Sequence, residues 1–237
     1  MKLAVTGDHE DLPEVKLRDG SSVEWIGLPV LQFERLPIAE TILKGMTQKP
    51  YDWILFSSPR AVQFWSETIL EEEIDFPIET QIACIGESTA AAASQDGFNP
   101  DFFPTEPGTE MFLLEFKDLL SNNTQKPRIL IPSAEQGRTT LAEELIKLGC
   151  QVDRVPLYRT SARADFADWL SKNSLEGIEN FLITSPSSFD ALNASWNLKG
   201  KRLIALGQYT ADYLHQKTGG TFSLLPEGSF EKIAEVL

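Results

Sequence analysis

The chain has 237 residues with a formal net charge of −14, and 42% of its residues are apolar and 24% charged. This composition is typical of folded soluble proteins, and the length allows one large core or two modest ones. The acidic balance argues against nucleic acid or an anionic membrane as a partner, and no apolar stretch is long enough to predict a signal peptide or a membrane span.

Cysteine and histidine are too scarce to suggest metal chemistry. Cys84 and Cys150 do not have the spacing of a metal cluster and are predicted to be reduced core residues. His9 and His215 lie far apart in the sequence, which leaves little material for a zinc site or a histidine-based triad. We therefore predict a cytoplasmic protein with no bound metal.

The chain begins with two short apolar stretches that predict strands, at 2–6 and 23–26. The interval 7–22 between them barely permits a crossover helix, because a parallel connection needs about a dozen residues. The next segment, 28–37, alternates apolar and polar residues and is bounded by prolines. It is predicted to be an exposed strand that connects two lobes.

Helical and strand patterns alternate from residue 38 to residue 155. The predicted elements are helices at 38–46, 61–70, 88–95, 110–120 and 139–148, and strands at 51–56, 81–85, 101–103, 128–131 and 151–155. Five strands alternating with helices predict a parallel sheet covered on both faces. The segment 156–160 then forms a second connection.

The last part of the chain supplies too few strands for a second sheet of this size. It predicts strands at 181–184, 202–206 and 222–225, and helices at 165–172, 187–194, 209–217 and 230–236. The two N-terminal strands are therefore needed to complete five. The predicted fold is α/β, with two similar parallel-sheet lobes and a cleft between them: a discontinuous domain (1–33 and 161–237), an inserted domain (38–155), and linkers at about 28–37 and 156–160.

One motif of strand, Ser-Pro pair and helix occurs twice. WILFSSPRAVQFW (53–65) is echoed by FLITSPSSFDAL (181–192), so that Ser58 and Ser185 each precede a proline. Proline is well tolerated in the first helical turn, and the serine before it can cap the free amides. Such helix starts at the carboxyl ends of parallel strands are suited to binding anions. The alternative is that each serine only caps its helix.

A second repeated motif, Gly-x-x-Thr, follows the next strand in each half. The same interval separates Gly86 from Gly207 and Thr89 from Thr210. In both halves a helix, a short strand, a Pro-containing turn and a last helix come next. This duplication predicts two similar lobes that face each other.

In these segments the chain resembles the uroporphyrinogen-III synthase family. The resemblance covers most of residues 50–237 and is carried by SSPRAV from Ser57, IGEST from Ile85, TSPSSF from Thr184, LGQYTADYL from Leu206 and RILIPSAEQGRTTLAEELIKLGCQVDRVPLYRT from Arg128. It implies two flavodoxin-like lobes joined by a two-strand connection, and a monomeric, cofactor-free lyase of tetrapyrrole (heme) biosynthesis. Its substrate would be the linear tetrapyrrole hydroxymethylbilane, which loses its terminal hydroxyl and closes with inversion of ring D through a spiro intermediate.

The resemblance also nominates residues. The tyrosine of the YRT motif falls on Tyr158, which would hydrogen-bond to the departing hydroxyl, because a phenol with a pKa near 10 donates while staying neutral. The alternative is a hinge tyrosine packed between the lobes. Positions that line the cleft in the family fall on Thr89, Ser185, Arg202 and Thr210, and the further binding candidates are Ser58, Arg60, Gly86, Ser88, Arg138, Ser187 and Gly207.

Each binding candidate also has a purely structural interpretation. The hydroxyls could act only as helix caps, Arg202 could be a solvated strand end, and Arg60 and Arg138 could be solvated charges at helix ends rather than forks for carboxylates. Capping and binding are compatible, since a cap leaves neighbouring amides free for substrate carboxylates.

Two departures from the family pattern keep an alternative function open. Family members usually follow the first strand with Thr-Arg-Pro and a full helix, whereas here Thr6 is followed by Gly7 and Asp8; Tyr209 stands where the family often has a threonine. A non-catalytic module that binds a tetrapyrrole or another anion on the same scaffold would fit these changes. A nucleotide-binding protein is less well supported, because no G-x-G-x-x-G or Walker loop follows a strand.

Overall fold

A computed structural model describes residues 1–7, 12–74, 79–106, 108–121, 126–220 and 222–237. The chain forms two compact units, the first from Met1–Gln32 and Ser161–Leu237 and the second from Phe33–Thr160. Each unit contains one sheet, which has five strands in the described residues. His9 and Asp8, both considered above, lie outside the described residues.

The helices and strands alternate along most of the chain. The strands are β1 (Lys2–Thr6), β2 (Glu24–Leu28), β3 (Leu31–Arg35), β4 (Trp53–Phe56), β5 (Gln81–Cys84), β6 (Arg128–Ala134), β7 (Gln151–Ala162), β8 (Asn180–Ile183), β9 (Arg202–Ala205) and β10 (Ser223–Leu224). The α-helices are α1 (Glu40–Gln48), α2 (Pro59–Glu71), α3 (Glu87–Gln95), α4 (Thr109–Ser121), α5 (Thr140–Lys147), α6 (Phe166–Lys172), α7 (Pro186–Ser195) and α8 (Gln208–Thr218).

The sheet of the first unit has the strand order β10-β9-β8-β1-β2, and all of its neighbouring strands run parallel. The two N-terminal strands therefore complete the sheet that the C-terminal part begins, as the strand count predicted. Phe181 and Ile183 pack on one face of β8, and Leu182 packs on the other. The alternation shows that both faces of the sheet are buried, as expected for parallel strands.

The sheet of the second unit has the order β3-β7-β6-β4-β5. The pairs among β7, β6, β4 and β5 are parallel. The strand β3 runs opposite to β7, because the Leu36 N–H donates to the Leu157 carbonyl (2.8 Å) while the Arg163 N–H donates to the Val30 carbonyl (2.9 Å). The two strands are also the two segments in which the chain passes between units.

The predicted strand at 101–103 is wrong. Phe102 makes a single bridge to Ala83, and the fifth place in the sheet belongs to β3 instead. The reason is local. The Asp101 carboxylate accepts the Ile82 N–H (2.7 Å), so this N–H of β5 is not available to a backbone carbonyl of a further strand. The prolines on either side, Pro100 and Pro104, further limit backbone pairing.

The first unit is irregular at its two ends, and only the C-terminal end differs from expectation. Described residues 12–23 contain no helix, and Lys16 instead makes a bridge to Ser22. Gly7 has a φ of 119° and donates its N–H to the Leu28 carbonyl (2.7 Å), so the chain turns away directly after β1. At the other end, the predicted helix 230–236 is a 3₁₀ helix, Phe230–Glu235, and β10 is shorter than the predicted strand.

Within the described residues, no helix has the length and apolarity needed to span a bilayer.

Candidate active site

The Ser-Pro motif starts a helix in both units. Ser58 accepts the Ala61 N–H (3.2 Å) at the start of α2. Ser185 accepts the Ser188 N–H (3.2 Å), and the Ser188 hydroxyl accepts the Ser185 N–H in return (3.1 Å), which completes a capping box on α7. Both serines are thus caps that hold a helix N-terminus at the carboxyl end of a parallel strand.

The Gly-x-x-Thr motif starts the neighbouring helix without a side-chain cap. Gly86 and Gly207 are the N-cap residues of α3 and α8, and their carbonyls accept the N–H groups of Thr89 (3.1 Å) and Thr210 (3.0 Å). Both threonines are buried. Ser88 and Ser187, by contrast, are exposed on the first turns of α3 and α7.

The two motifs lie side by side in each unit because the strands before them are in register. Phe56 pairs with Cys84, and the Ile85 N–H donates to the Phe56 carbonyl (3.0 Å). In the first unit, Ile183 pairs with Ala205, and the corresponding bond runs from Leu206 to Ile183 (2.9 Å). The duplicated sequence therefore builds the same pair of adjacent helix starts twice, each a concentration of free amides and positive helix-dipole ends.

Tyr158 is held in an aromatic stack in the second unit. Its ring stacks on Phe64 with centroids 4.6 Å apart and planes 14° apart, and Phe33 packs edge-on against it at 6.3 Å. The residue is only 6% exposed, and its phenol hydrogen-bonds to the Ser58 side chain. Burial raises the pKa of Tyr158 above its usual value, against the weaker opposing effects of the Ser58 hydrogen bond and the Arg60 charge. The phenol is therefore neutral at physiological pH and can donate its proton.

Arg60 lies beside this stack. Its guanidinium carbon is 3.5 Å from the centroid of the Phe33 ring, a cation–π contact that holds the charge close to the Tyr158 phenol. The positive charge would stabilise negative charge that develops on the phenol oxygen during proton donation.

A cavity of about 690 Å³ opens at the carboxyl edge of the second sheet. Tyr158 and Arg138 both line it, and so do Ser57 and Ile85, the neighbours of Ser58 and Gly86. The other lining residues come mainly from the starts of α4 and α5 and from the end of β6, including Gly108, Thr109, Ser133, Gly137 and Thr140. In the described residues, no group of three or more His, Cys, Asp or Glu is arranged to hold a metal ion.

Residues 16–221 match a protein-family model described as uroporphyrinogen-III synthase HemD. The chain belongs to the uroporphyrinogen-III synthase family. The resemblance seen in the sequence motifs is thereby confirmed, and with it the assignment to cyclising lyases of heme biosynthesis.

Individual relatives agree with this membership. The putative uroporphyrinogen-III synthase of Methanocaldococcus jannaschii is 26% identical over 176 residues, which span 70% of either chain. The structure of uroporphyrinogen-III synthetase from Helicobacter pylori has a TM-score of 0.66 at 18% identity and covers 100% of this chain and 98% of its own. A mutant uroporphyrinogen III synthase from Thermus thermophilus gives 0.60 at 16% identity, with coverages of 99% and 97%. Both solved structures support the α/β fold predicted from the sequence.

The structure brings several of the nominated residues of the second unit together. Tyr158 contacts Ser58, lies near the Arg60 charge and shares a cavity with Arg138. Gly86, Ser88 and Thr89 form the adjacent helix start. In the first unit, Ser185, Ser187, Gly207 and Thr210 cluster at the ends of β8 and β9.

Arg202 is not brought to this edge. It begins β9, so the length of the strand separates it from Gly207 and Thr210. Its guanidinium is occupied by backbone carbonyls near the end of the chain, donating to Leu237 (2.9 Å) and to Val236. The interpretation as a solvated strand end is closer to what the structure shows, because Arg202 is exposed.

A cluster of three hydroxyls, two of them on buried residues, was not predicted from the sequence. The Thr6 Oγ1 lies 3.0 Å from the Thr184 Oγ1 and 2.9 Å from the Ser188 Oγ, and it also accepts the Thr184 N–H (2.9 Å). The cluster ties the carboxyl end of β1 to the start of α7. The cluster could have been predicted only from the pairing of β1 with β8, which sets Val5 opposite Leu182.

Proposed function

We propose that this protein catalyses the closure of hydroxymethylbilane to uroporphyrinogen III, with loss of water and inversion of ring D. The observation that carries the proposal is the buried, neutral Tyr158 phenol at a cavity that Arg138 also lines. Membership of the synthase family over residues 16–221 supports it.

The proposed reaction has no redox step and can be written without a cofactor. The bond between the terminal methylene carbon and its hydroxyl breaks, the hydroxide takes up a proton and leaves as water, and a cationic azafulvene remains. Tyr158 is proposed to donate to the departing oxygen, with the Arg60 charge stabilising the phenol oxygen as it does so. The ring-D carbon then attacks to give the spiro intermediate, whose rearrangement and loss of a proton complete the macrocycle.

Substrate carboxylates must be bound against a net charge of −14. We propose that helix N-termini and a few arginines achieve this locally. The proposed contacts in the second unit are Ser58, Arg60, Gly86, Ser88, Thr89 and Arg138. In the first unit they are Ser185, Ser187, Gly207 and Thr210; because both threonines are buried, their contribution would come through the helix starts that they order. Arg202 has no place in this set.

The decisive test is an isomer analysis. Hydroxymethylbilane is generated in place by a coupled deaminase, incubated with the purified protein, oxidised and separated into uroporphyrin isomers. Isomer III above the spontaneous isomer I background is the expected result. Isomer I alone, from protein whose folding is shown by circular dichroism, would contradict the enzyme function.

A non-catalytic tetrapyrrole-binding module is the second candidate. It is favoured by the turn at Gly7 and by the absence of a helix from described residues 12–23, where family members usually have one. Saturable binding of uroporphyrin III without isomer III formation would identify it.

The location, partners and oligomeric state of the protein can also be proposed. We infer a cytoplasmic protein that does not bind nucleic acid, because the net charge is −14 and both cysteines are free and buried. We propose a monomer by analogy with the family. Light scattering of the purified protein, with and without substrate, tests the monomer.

A further inference from the structure

The turn that carries Arg138 is fastened by an arginine from the neighbouring strand. This turn, residues 134–138, leaves β6 and leads to α5. The Nη2 of Arg154, in β7, donates to the carbonyls of Ala134 (2.6 Å) and Gly137 (2.9 Å) and reaches that of Glu135 at 3.2 Å. The Arg154 Nη2 thus lies within hydrogen-bond distance of three carbonyl oxygens of the same turn.

These contacts of Arg154 require a glycine at position 137. A Cβ added to Gly137 would lie 3.0 Å from the Arg154 Nη2 and 3.0 Å from the Ala134 carbonyl oxygen, closer than side-chain carbons normally approach. Arg154 therefore occupies the space in which any larger residue at position 137 would place its side chain.

The same turn is tied to Tyr158. The Glu135 N–H donates to the Tyr158 carbonyl (2.7 Å), and the Glu135 carboxylate forms a two-point ion pair with Arg159, at 2.6 and 3.0 Å. The register between β6 and β7 shifts at Ser133 and Ala134, so that Ala134 pairs with Tyr158. Such an irregularity re-aims side chains locally. One strand, β7, therefore carries the candidate acid and also holds the turn that presents Arg138.

We propose that Arg154 is a positioning residue for substrate binding, which fixes the 134–138 turn so that Arg138 lines the cavity beside Tyr158. The proposal rests on the function proposed above. Arg154 itself lines this cavity, and its Nε is buried without a hydrogen-bond partner in the described residues.

The test compares steady-state kinetics of Arg154→Met with those of the wild type. KM for hydroxymethylbilane should rise about tenfold or more while kcat changes little, since the binding arginine is displaced and the Tyr158 phenol is not. Arg154→Lys keeps a charged donor and should recover part of the affinity. Arg163→Met, which removes a partly buried arginine of the first unit that pairs with Asp165, is the matched control and should leave both constants unchanged.

A double-mutant cycle separates positioning from mere stability. If Arg154 acts through Arg138, the double variant Arg138→Met/Arg154→Met should have the same KM as Arg138→Met alone. Additive increases in KM, or an unchanged KM in Arg154→Met, would overturn the proposal while leaving the enzyme function intact.

The wild-type isomer analysis keeps the two proposals distinguishable. If the wild type forms no isomer III, the enzyme function fails, and Arg154 is then judged by the affinity for uroporphyrin III and by hydrogen exchange of residues 134–138. Weaker binding with faster exchange in Arg154→Met would support the positioning role. Unchanged binding would end it.

Discussion

The Tyr158 side chain has a ring held by its neighbours and a phenol that is neutral at physiological pH. Stacking on Phe64 and edge contact with Phe33 restrict the ring, so little ordering remains to be done when substrate arrives. Burial raises the pKa of the phenol, so ionisation of Tyr158 should not limit activity below pH 10. A residue with these two properties can serve as a donor over the whole physiological pH range.

Tyr158→Phe is expected to lower kcat by about tenfold to a hundredfold while KM changes much less, because the variant keeps the ring stack and loses only the donor. Initial rates of isomer III formation measure the effect. Tyr213→Phe is the matched control, since it removes a phenol that donates to Asp190 on the surface of the first unit. Wild-type rates in Tyr158→Phe would remove this residue from the mechanism.

Residues within a contiguous motif were the ones that sequence could nominate. Tyr158 and Arg138 both belong to the stretch from Arg128 that carries the resemblance to the family, and both line the same cavity. Arg154 lies in the same stretch, but its role and that of the Thr6 hydroxyl could not be found in this way, since their partners depend on which strands become neighbours. Arg202 was nominated from its position in a family motif. It begins β9, however, and therefore lies at the edge of the sheet away from the carboxyl ends of the strands.

The helix starts are elements whose stability can be tested separately from catalysis. Ser185→Ala should lower the free energy of unfolding by about 1 kcal/mol, because α7 loses its side-chain cap. Ser187→Ala, two residues further on and exposed, is the control and should change it by less than about 0.5 kcal/mol. Urea denaturation followed by circular dichroism measures both; equal losses would show that the cap is not what stabilises the helix start.

Strong periodic patterns predicted most elements, and the misses have local causes. The helices and buried strands of the second unit were found because hydrophobic periodicity marks them directly. The segment around Phe102 has the apolar character of a strand, but the Asp101 carboxylate takes the backbone donor that a ladder would need. The C-terminal segment has a helical pattern, and the structure forms it as a 3₁₀ helix, Phe230–Glu235.

At the scale of the whole molecule, buried acids should make stability sensitive to alkaline pH. Burial raises the pKa of the Cys84 thiol to about 12 from an unfolded value of 9.0 and also raises the pKa of Tyr51. The unfolded chain therefore releases these protons first, so the contribution of these two groups to the free energy of unfolding is constant below pH 9 and falls above it. The Cys84 contribution is up to about 1.4 kcal/mol per pH unit.

Urea titrations at pH 7, 9, 10 and 11 test this slope. Cys84→Ala should show a shallower fall between pH 9 and 11 and the same pH dependence as the wild type between pH 6 and 8. Parallel curves for the two proteins above pH 9 would mean that the thiol ionises as readily in the folded state as in the unfolded one.

The net charge of −14 acts on the whole encounter with an anionic substrate. Added salt screens long-range repulsion more than it weakens short, partly buried contacts. We therefore expect kcat/KM to rise between about 10 and about 150 mM salt. Chloride and acetate at equal ionic strength should agree, and a steady fall in kcat/KM with both salts would contradict the expectation.

The duplication explains why the architecture of each unit was predictable while the details of its sites were not. Two copies of a strand, helix-start and strand pattern determine which edge of each sheet carries the loops, as the matching bonds of Ile85 and Leu206 show. Thr6 of the hydroxyl cluster and Gly137 of the turn both lie outside the two repeated segments. Repetition therefore predicts the shared framework, and the unrepeated residues distinguish the two sites.

The insertion of one unit into the other also orders events on the ribosome. Every residue of the second unit, Phe33–Thr160, is synthesised before the chain returns to the first unit. The Thr6 hydroxyl, by contrast, waits for Thr184, a partner 178 residues later. During translation the inserted unit can therefore fold as soon as it emerges, while β1 remains without its partner strand β8 until the chain has been made past Ile183.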